Sequence, residues 1–149
     1  MKCRNLATGQ IVAIKKFKES DDDQQVRKTA LREIKILQGF QNVNIIHLFE
    51  VFRRKGKLYL VFEYVEKTLL EEVEGHPEGL EEEYVKSLLF QLVTATARVH
   101  SANILHRDIK PENLLVSKAG VLKLCDFGFA RTNAKIGQEL TGTILNFKM

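Results

Sequence analysis

Residues 11–17 form a β-branched apolar run of strand length, and the strand period of two places Ala13 and Lys15 on one of its faces. From residue 24 to 38 the period lengthens. Val26, Ala30, Ile34 and Leu37 recur at helical spacing, and Asp21, Asp22 and Asp23 put negative charge at the positive end of that helix's dipole. Two further apolar runs, 45–52 and 58–65, flank the basic, glycine-containing stretch Arg53-Arg54-Lys55-Gly56-Lys57, which predicts a hairpin. A long helix is predicted over 81–101, with Val85, Leu88, Leu89, Leu92, Thr96 and Val99 on one stripe and acidic residues at its start. Short strands follow at 114–116 and 121–124, joined by a turn at Ser117-Lys118-Ala119-Gly120. The order is α+β: an antiparallel sheet with one helix over residues 1–65, then a mainly helical part over 66–149, with the boundary near Val65.

Composition changes this picture little. Charged residues at 28% and hydrophobic residues at 44% describe an ordinary soluble chain, with no signal peptide or membrane-spanning run. Cys3 and Cys125 fit no disulfide or zinc pattern, which suits the cytoplasm or nucleus. The net charge is +4, but the basic residues are scattered and no nucleic-acid reader motif occurs, so a phosphate-bearing nucleotide is the better-supported partner.

The chemistry concentrates in His106-Arg107-Asp108-Ile109-Lys110-Pro111-Glu112-Asn113, followed eighteen residues after Asp108 by Asp126-Phe127-Gly128. Phosphoryl transfer passes through a loose transition state, so it needs positioned oxygens and neutralising charge more than covalent chemistry. Asp108 suits acceptance of a hydroxyl proton, and Lys110 suits steadying the phosphate. Asn113 and Asp126 supply one neutral and one charged oxygen for magnesium, a hard cation that keeps much of its water. The spacing resembles the catalytic and metal-binding loops of eukaryotic protein kinases.

Other segments extend the resemblance. Thr8 to Phe17, with Val12-Ala13-Ile14-Lys15 inside it, Leu31-Arg32-Glu33-Ile34, Phe52 to Lys67 and Leu122 to Arg131 are similar to the cyclin-dependent kinase-like group. The resemblance implies a serine/threonine kinase that uses ATP and Mg2+ and acts on a protein hydroxyl; the lysine two residues after Asp108 points to serine or threonine. It implies that Ala13 makes room for adenine, that Lys15 reaches the phosphates and that Glu33 holds Lys15 by an ion pair. Taken alone, Glu33 reads by default as a solvated helix charge. Phe62 matches the bulky residue at the back of the nucleotide pocket, the backbone of Glu63, Tyr64 and Val65 matches the adenine-binding hinge, and Leu115 and Cys125 line the same cleft. Arg32, Arg107 and Arg131 match three arginines that gather around an activation-loop phosphate, since clustered guanidiniums repel unless an anion joins them. Thr141 is a candidate phosphoacceptor, although the family's Thr-x-Tyr is replaced here by Thr141-Gly142-Thr143. The helix around Glu33 resembles one at which a regulatory protein docks.

Two departures bear on activity. The family's glycine-rich loop should precede Lys2-Cys3-Arg4, and residues 132–149 leave the family's pattern without its closing Ala-Pro-Glu or Ser-Pro-Glu. The expectation is therefore a kinase truncated at both ends, folding partially, because uncovering Leu88, Leu92 and Val99 would forgo about 1.5–3 kcal/mol each. The alternative reading is a catalytically inactive fragment that acts by binding a partner or a nucleotide.

Overall fold

Four antiparallel strands make the first layer of the computed structural model, which describes residues 1–18 and 24–132. They are β1 (Lys2–Arg4), β2 (Ile11–Lys18), β3 (Leu48–Arg54) and β4 (Lys57–Glu63), hydrogen-bonded in the order β1-β2-β4-β3. The hairpin between β3 and β4 turns on Lys55 and Gly56, both with positive φ (50° and 64°), the two-residue geometry whose twist matches that of paired strands. Between β2 and β3 runs α1 (Gln24–Leu37), which buries Ala30, Ile34 and Leu37. Glu33 lies on the same face and is 1% exposed. The three aspartates before α1 fall outside the described residues.

The predicted strand over 45–52 begins only at Leu48. Ile45 and Ile46 instead join the second half of the chain: Ile46 N–H donates to the Leu124 carbonyl (3.0 Å) and Leu124 N–H to the Asn44 carbonyl (2.9 Å). Ile45 makes only an isolated parallel bridge with Leu124, so the apolar character of the pair serves burial more than strand formation.

After β4 come β5 (Lys67–Thr68), α2 (Leu69–Glu74), α3 (Glu82–Ser101), β6 (Ile104–Leu105), a 3-10 turn at Pro111–Asn113, β7 (Leu114–Val116), β8 (Leu122–Leu124), a second 3-10 turn at Phe127–Phe129 and β9 (Arg131–Thr132). Strands β5, β7 and β8 form one small sheet, and β6 pairs with β9. Helix α2 was not anticipated. Its start carries a readable signal: Thr68 Oγ1 accepts from Glu71 N–H, and the Glu71 carboxylate accepts from Thr68 N–H.

Helix α3 runs as predicted and turns the expected stripe inward, with Leu89 the exception and Ala95 an addition. Leu88, Ala95 and Val99 are buried, whereas Leu89 is 54% exposed beside Phe90 (74%) and Val93 (66%). The expected exposure of Leu88 and Val99 is thus corrected: they join one continuous core shared by α1, β4, α3, β7 and β8. Gln91 and the buried Asn44 lock this junction. Gln91 Oε1 accepts from Asn44 Nδ2 and from Leu122 N–H, both at 2.9 Å, while Asn44 Nδ2 also donates to the Leu122 carbonyl. The strand leading to Asp126 is therefore anchored before the turn that carries it. No helix among the described residues is long and apolar enough to cross a membrane.

Candidate functional site

Pairing of β2 with β4 sets Ala13 opposite Phe62 and Lys15 opposite Leu60, so both inward residues of β2 open onto one space. That space is a cleft of about 420 Å³, within the roughly 300–1,000 Å³ usual for small-molecule sites. The upper wall holds Ala13 and Lys15, the back Phe62, the rim Glu63, Tyr64 and Val65. The floor holds Asn113, Leu115, Cys125 and Asp126. All eight residues predicted to contact a nucleotide border it. Met1, Lys2, Ile14 and Ile46 border it as well; nothing in their local sequence marks them, and folding alone brings them there.

Lys15 is the junction of the site. Its Nζ lies 2.8 Å from Glu33 Oε2 and 3.0 Å from Asp126 Oδ1, joining residues from β2, α1 and the turn after β8. Burial pulls the Lys15 pKa down, but the two carboxylates outweigh it and hold the value above the ordinary one, so the ammonium stays charged. Burial pushes the Glu33 carboxyl up, and Lys15 only partly offsets that. The alternative of a solvated Glu33 is excluded by its burial.

Asp126 sits in the left-handed region (φ 59°, ψ 72°), with Oδ1 also accepting from Gly128 N–H at 3.4 Å. Gly128 is required by packing: a Cβ there would meet Thr29 Cγ2 on α1 at 2.8 Å and Asp126 Oδ1 at 3.2 Å. Gly128→Ala is expected to cost about 1–3 kcal/mol, the usual penalty of overpacking. Thr29→Ser, which removes Cγ2, should recover part of that loss. Equal denaturant midpoints for wild type and Gly128→Ala would refute the packing argument.

Below the cleft, His106 is 2% exposed and places the loop that follows it. Asp108 N–H donates to His106 Nδ1 (3.3 Å), which leaves Nε2–H to donate to the Cys125 carbonyl (2.9 Å). Burial lowers the His106 pKa and so favours this neutral form. The ring also packs edge-on against Phe127, 4.7 Å between centroids, coupling the Asp108 loop to the Asp126 turn. Asn113 Nδ2 donates to Asp108 Oδ2 (2.7 Å) and to the Asp108 carbonyl (2.9 Å), and Lys110 Nζ lies 3.3 Å from Asp108 Oδ2. With its amide nitrogen committed to Asp108, Asn113 has its side-chain oxygen left for the cleft it borders.

The remaining predicted residues fall into place unevenly. Glu63 spends its carboxylate on Lys123 (2.9 Å) and His47 N–H (2.8 Å), and its own N–H on the His47 carbonyl. The backbone groups of Tyr64 and Val65 make no hydrogen bond among the described residues, so they are available at the rim. Burial pushes the Cys125 thiol up to about 12, which makes it an inert wall at neutral pH. Arg32 Nη1 donates to the Gly128 carbonyl (2.9 Å), and Arg107 donates twice to the Phe129 carbonyl (2.8 and 2.6 Å). Arg131, exposed on β9, pairs opposite Leu105 just before the His106 loop. Thr141 lies outside the described residues. Among the described residues no three His, Cys, Asp or Glu side chains gather to hold a metal by themselves. Two oxygen donors facing one cleft, Asn113 and Asp126, fit magnesium held jointly by protein, water and phosphate oxygens.

Residues 1–145 match the protein kinase domain family model. The match continues past Thr132, where the sequence reading ended the likeness. The chain is 56% identical over 141 residues to cyclin-dependent kinase-like 2 of Pongo abelii, an alignment covering 95% of this chain and 29% of that protein. It is 55% identical over 130 residues to cyclin-dependent kinase-like 4 of Mus musculus (87% and 38% covered) and 57% identical over 131 residues to cyclin-dependent kinase-like 5 of Homo sapiens (88% and 14% covered). The similarity is thus nearly even across three members of one group, and this chain spans less than two-fifths of each.

Proposed function

The chain belongs to the protein kinase domain family, in its cyclin-dependent kinase-like group, and from that premise we propose that its cleft binds magnesium ATP for transfer of the γ-phosphate to a serine or threonine hydroxyl of a protein. The carrying observation is the convergence of Lys15, Glu33 and Asp126 within 3.0 Å contacts at one end of an apolar-walled cleft. Ala13 and Leu115 would hold the adenine faces and Phe62 would close the back, with Tyr64 and Val65 supplying backbone donors and acceptors. Lys15, kept extended by Glu33, would hold the phosphates, and Asn113 and Asp126 the magnesium. When bound, magnesium ATP supplies the transferable phosphoryl group and the charge that neutralises its oxygens.

Asp108 is the proposed base. Its carboxylate is oriented by Asn113 and stands beside Lys110, so a hydroxyl proton would pass to an oxygen whose direction is already set. Lys110 would stabilise negative charge on the phosphate in transit. Arg32, Arg107 and Arg131 form the proposed phosphate-sensing set, and the exposed side of α1, including Leu31, the proposed contact for a regulatory protein. The two free cysteines support a cytoplasmic or nuclear setting.

Thermal melting tests the nucleotide reading directly. Magnesium ATP at a hundred times its dissociation constant should stabilise the chain by about 2.7 kcal/mol, or roughly 5–10 °C. No shift would count against any nucleotide-handling role. A shift without transfer to any serine or threonine acceptor would favour a catalytically inactive, nucleotide-binding chain instead.

A further inference from the structure

Arg32 and Glu33 are neighbours on α1, yet they leave the helix about 100° apart and grip different parts of the site. Glu33 holds Lys15 at 2.8 Å. Arg32 Nη1 donates to the Gly128 carbonyl at 2.9 Å. Gly128 N–H is directed at Asp126 Oδ1 (3.4 Å), and that oxygen also accepts from Lys15 (3.0 Å). The contacts close a ring that runs from Arg32 through Gly128, Asp126, Lys15 and Glu33 and returns through one peptide bond of α1. Thr29, one turn earlier, packs so near Gly128 that no side chain fits there.

Asp126 needs such bracing. Its left-handed backbone is unfavourable for an L residue and persists only where the surroundings over-determine it. The Lys15 ammonium is a compact charge on a flexible stem and sets distance better than direction, whereas a guanidinium is planar and directional. The bond from Gly128 N–H is long. From this we infer that Arg32 is a positioning residue for Asp126, acting through the Gly128 carbonyl to fix the carboxylate that faces the cleft. This gives Arg32 a partner other than the phosphate that the sequence suggests. The neighbouring Phe129 carbonyl is held by Arg107, so the turn is tied both to α1 and to the Asp108 loop.

The inference rests on the nucleotide reading only for its consequence, so two measurements are made on the whole chain as wild type, Arg32→Met and Arg32→Lys. Methionine keeps the stem without the donors; lysine keeps one charged donor. In ligand-free protein, Arg32→Met should lose amide exchange protection at Gly128 and Ala130 by roughly tenfold, the size expected of one charge-assisted hydrogen bond, with β2 and β4 unchanged. In ATP titrations, the magnesium needed for half-maximal binding should rise by a similar factor of about ten, with binding in EDTA unchanged. Arg32→Lys, which keeps a charged donor without the planar guanidinium, should restore only part of both. Wild-type protection at Gly128 and Ala130 in Arg32→Met, a loss spread evenly over β2 and β4, or an unchanged magnesium requirement would each overturn the inference. If wild type binds no ATP, the nucleotide reading fails, and the exchange data still decide whether Arg32 holds the turn.

Discussion

Lys15→Met, with Glu33 left in place, is expected to abolish nucleotide binding and to destabilise the protein by about 3 kcal/mol or more at pH 7, the range for an ion pair broken on one side in a protein interior. Lys15 itself is 36% exposed along its side chain, so solvent screens its half of the pair; the cost comes from Glu33, whose side chain is 2% exposed. Burial already raises the Glu33 pKa, and the substitution removes the only group that lowers it while Asp126 continues to raise it. The folded mutant then takes up a proton at a pH where the unfolded chain is ionised. Its stability is fully present below the unfolded glutamate value near 4.5 and is lost as pH rises through the raised folded value. The mutant's melting temperature should therefore rise, relative to wild type, as pH is lowered from about 7 to about 5. Pairing the change with Glu33→Met should recover most of the stability without recovering ATP binding, because replacing both partners removes the uncompensated charge. A double mutant no more stable than Lys15→Met, or a pH-indifferent single mutant, would show that Glu33 is not the buried charge at issue.

The second large effect is expected at Asp108. Asp108→Asn should slow phosphate transfer by about 10²–10⁴-fold, the contribution of a positioned base, while leaving ATP binding nearly intact. The binding half follows from the geometry. Asp108 stands outside the cleft lining, and asparagine retains an oxygen that can accept from Asn113 Nδ2. The two halves are read by the transfer rate to a serine- or threonine-containing acceptor and by the magnesium ATP melting shift. Undiminished transfer would remove Asp108 as base. Loss of the melting shift would move it into nucleotide binding.

Legibility of the fold followed the range of the interaction that forms each element. The strand over 11–17, the helices starting near residues 24 and 82 and the hairpin over Lys55 and Gly56 are set by local period and turn chemistry, and all were readable. The capping box before α2 was readable too, but six residues give no periodicity to draw attention to it. Strands β6 and β9 lie far apart in sequence and two residues long, so each exists only because the other is there. The apolar pair Ile45 and Ile46 looked like strand because burial and strand pairing call for the same side chains. On α3, spacing alone did not distinguish Leu89 from Ala95. The helix is apolar over more than half its girth, and the positions of β6 and β8 select the buried face.

By itself the sequence determined the inventory: which residues could carry phosphate, proton and magnesium chemistry, and in what order along the chain. The types at Lys15, Glu33, Asp108, Asn113 and Asp126 are dictated by the charges such a reaction needs, and type is a local property. Tertiary structure decided which of them share a space. Residues 15, 33 and 126 meet only because the register sets Ala13 against Phe62, because α1 turns Glu33 inward with Ala30 and Ile34, and because Gly128 lets the turn that carries Asp126 approach α1. It also decided that Glu33 is buried, that Cys125 is inert and that Arg32 binds a carbonyl. Burial and partner choice depend on what a distant segment places alongside, and no local pattern carries that.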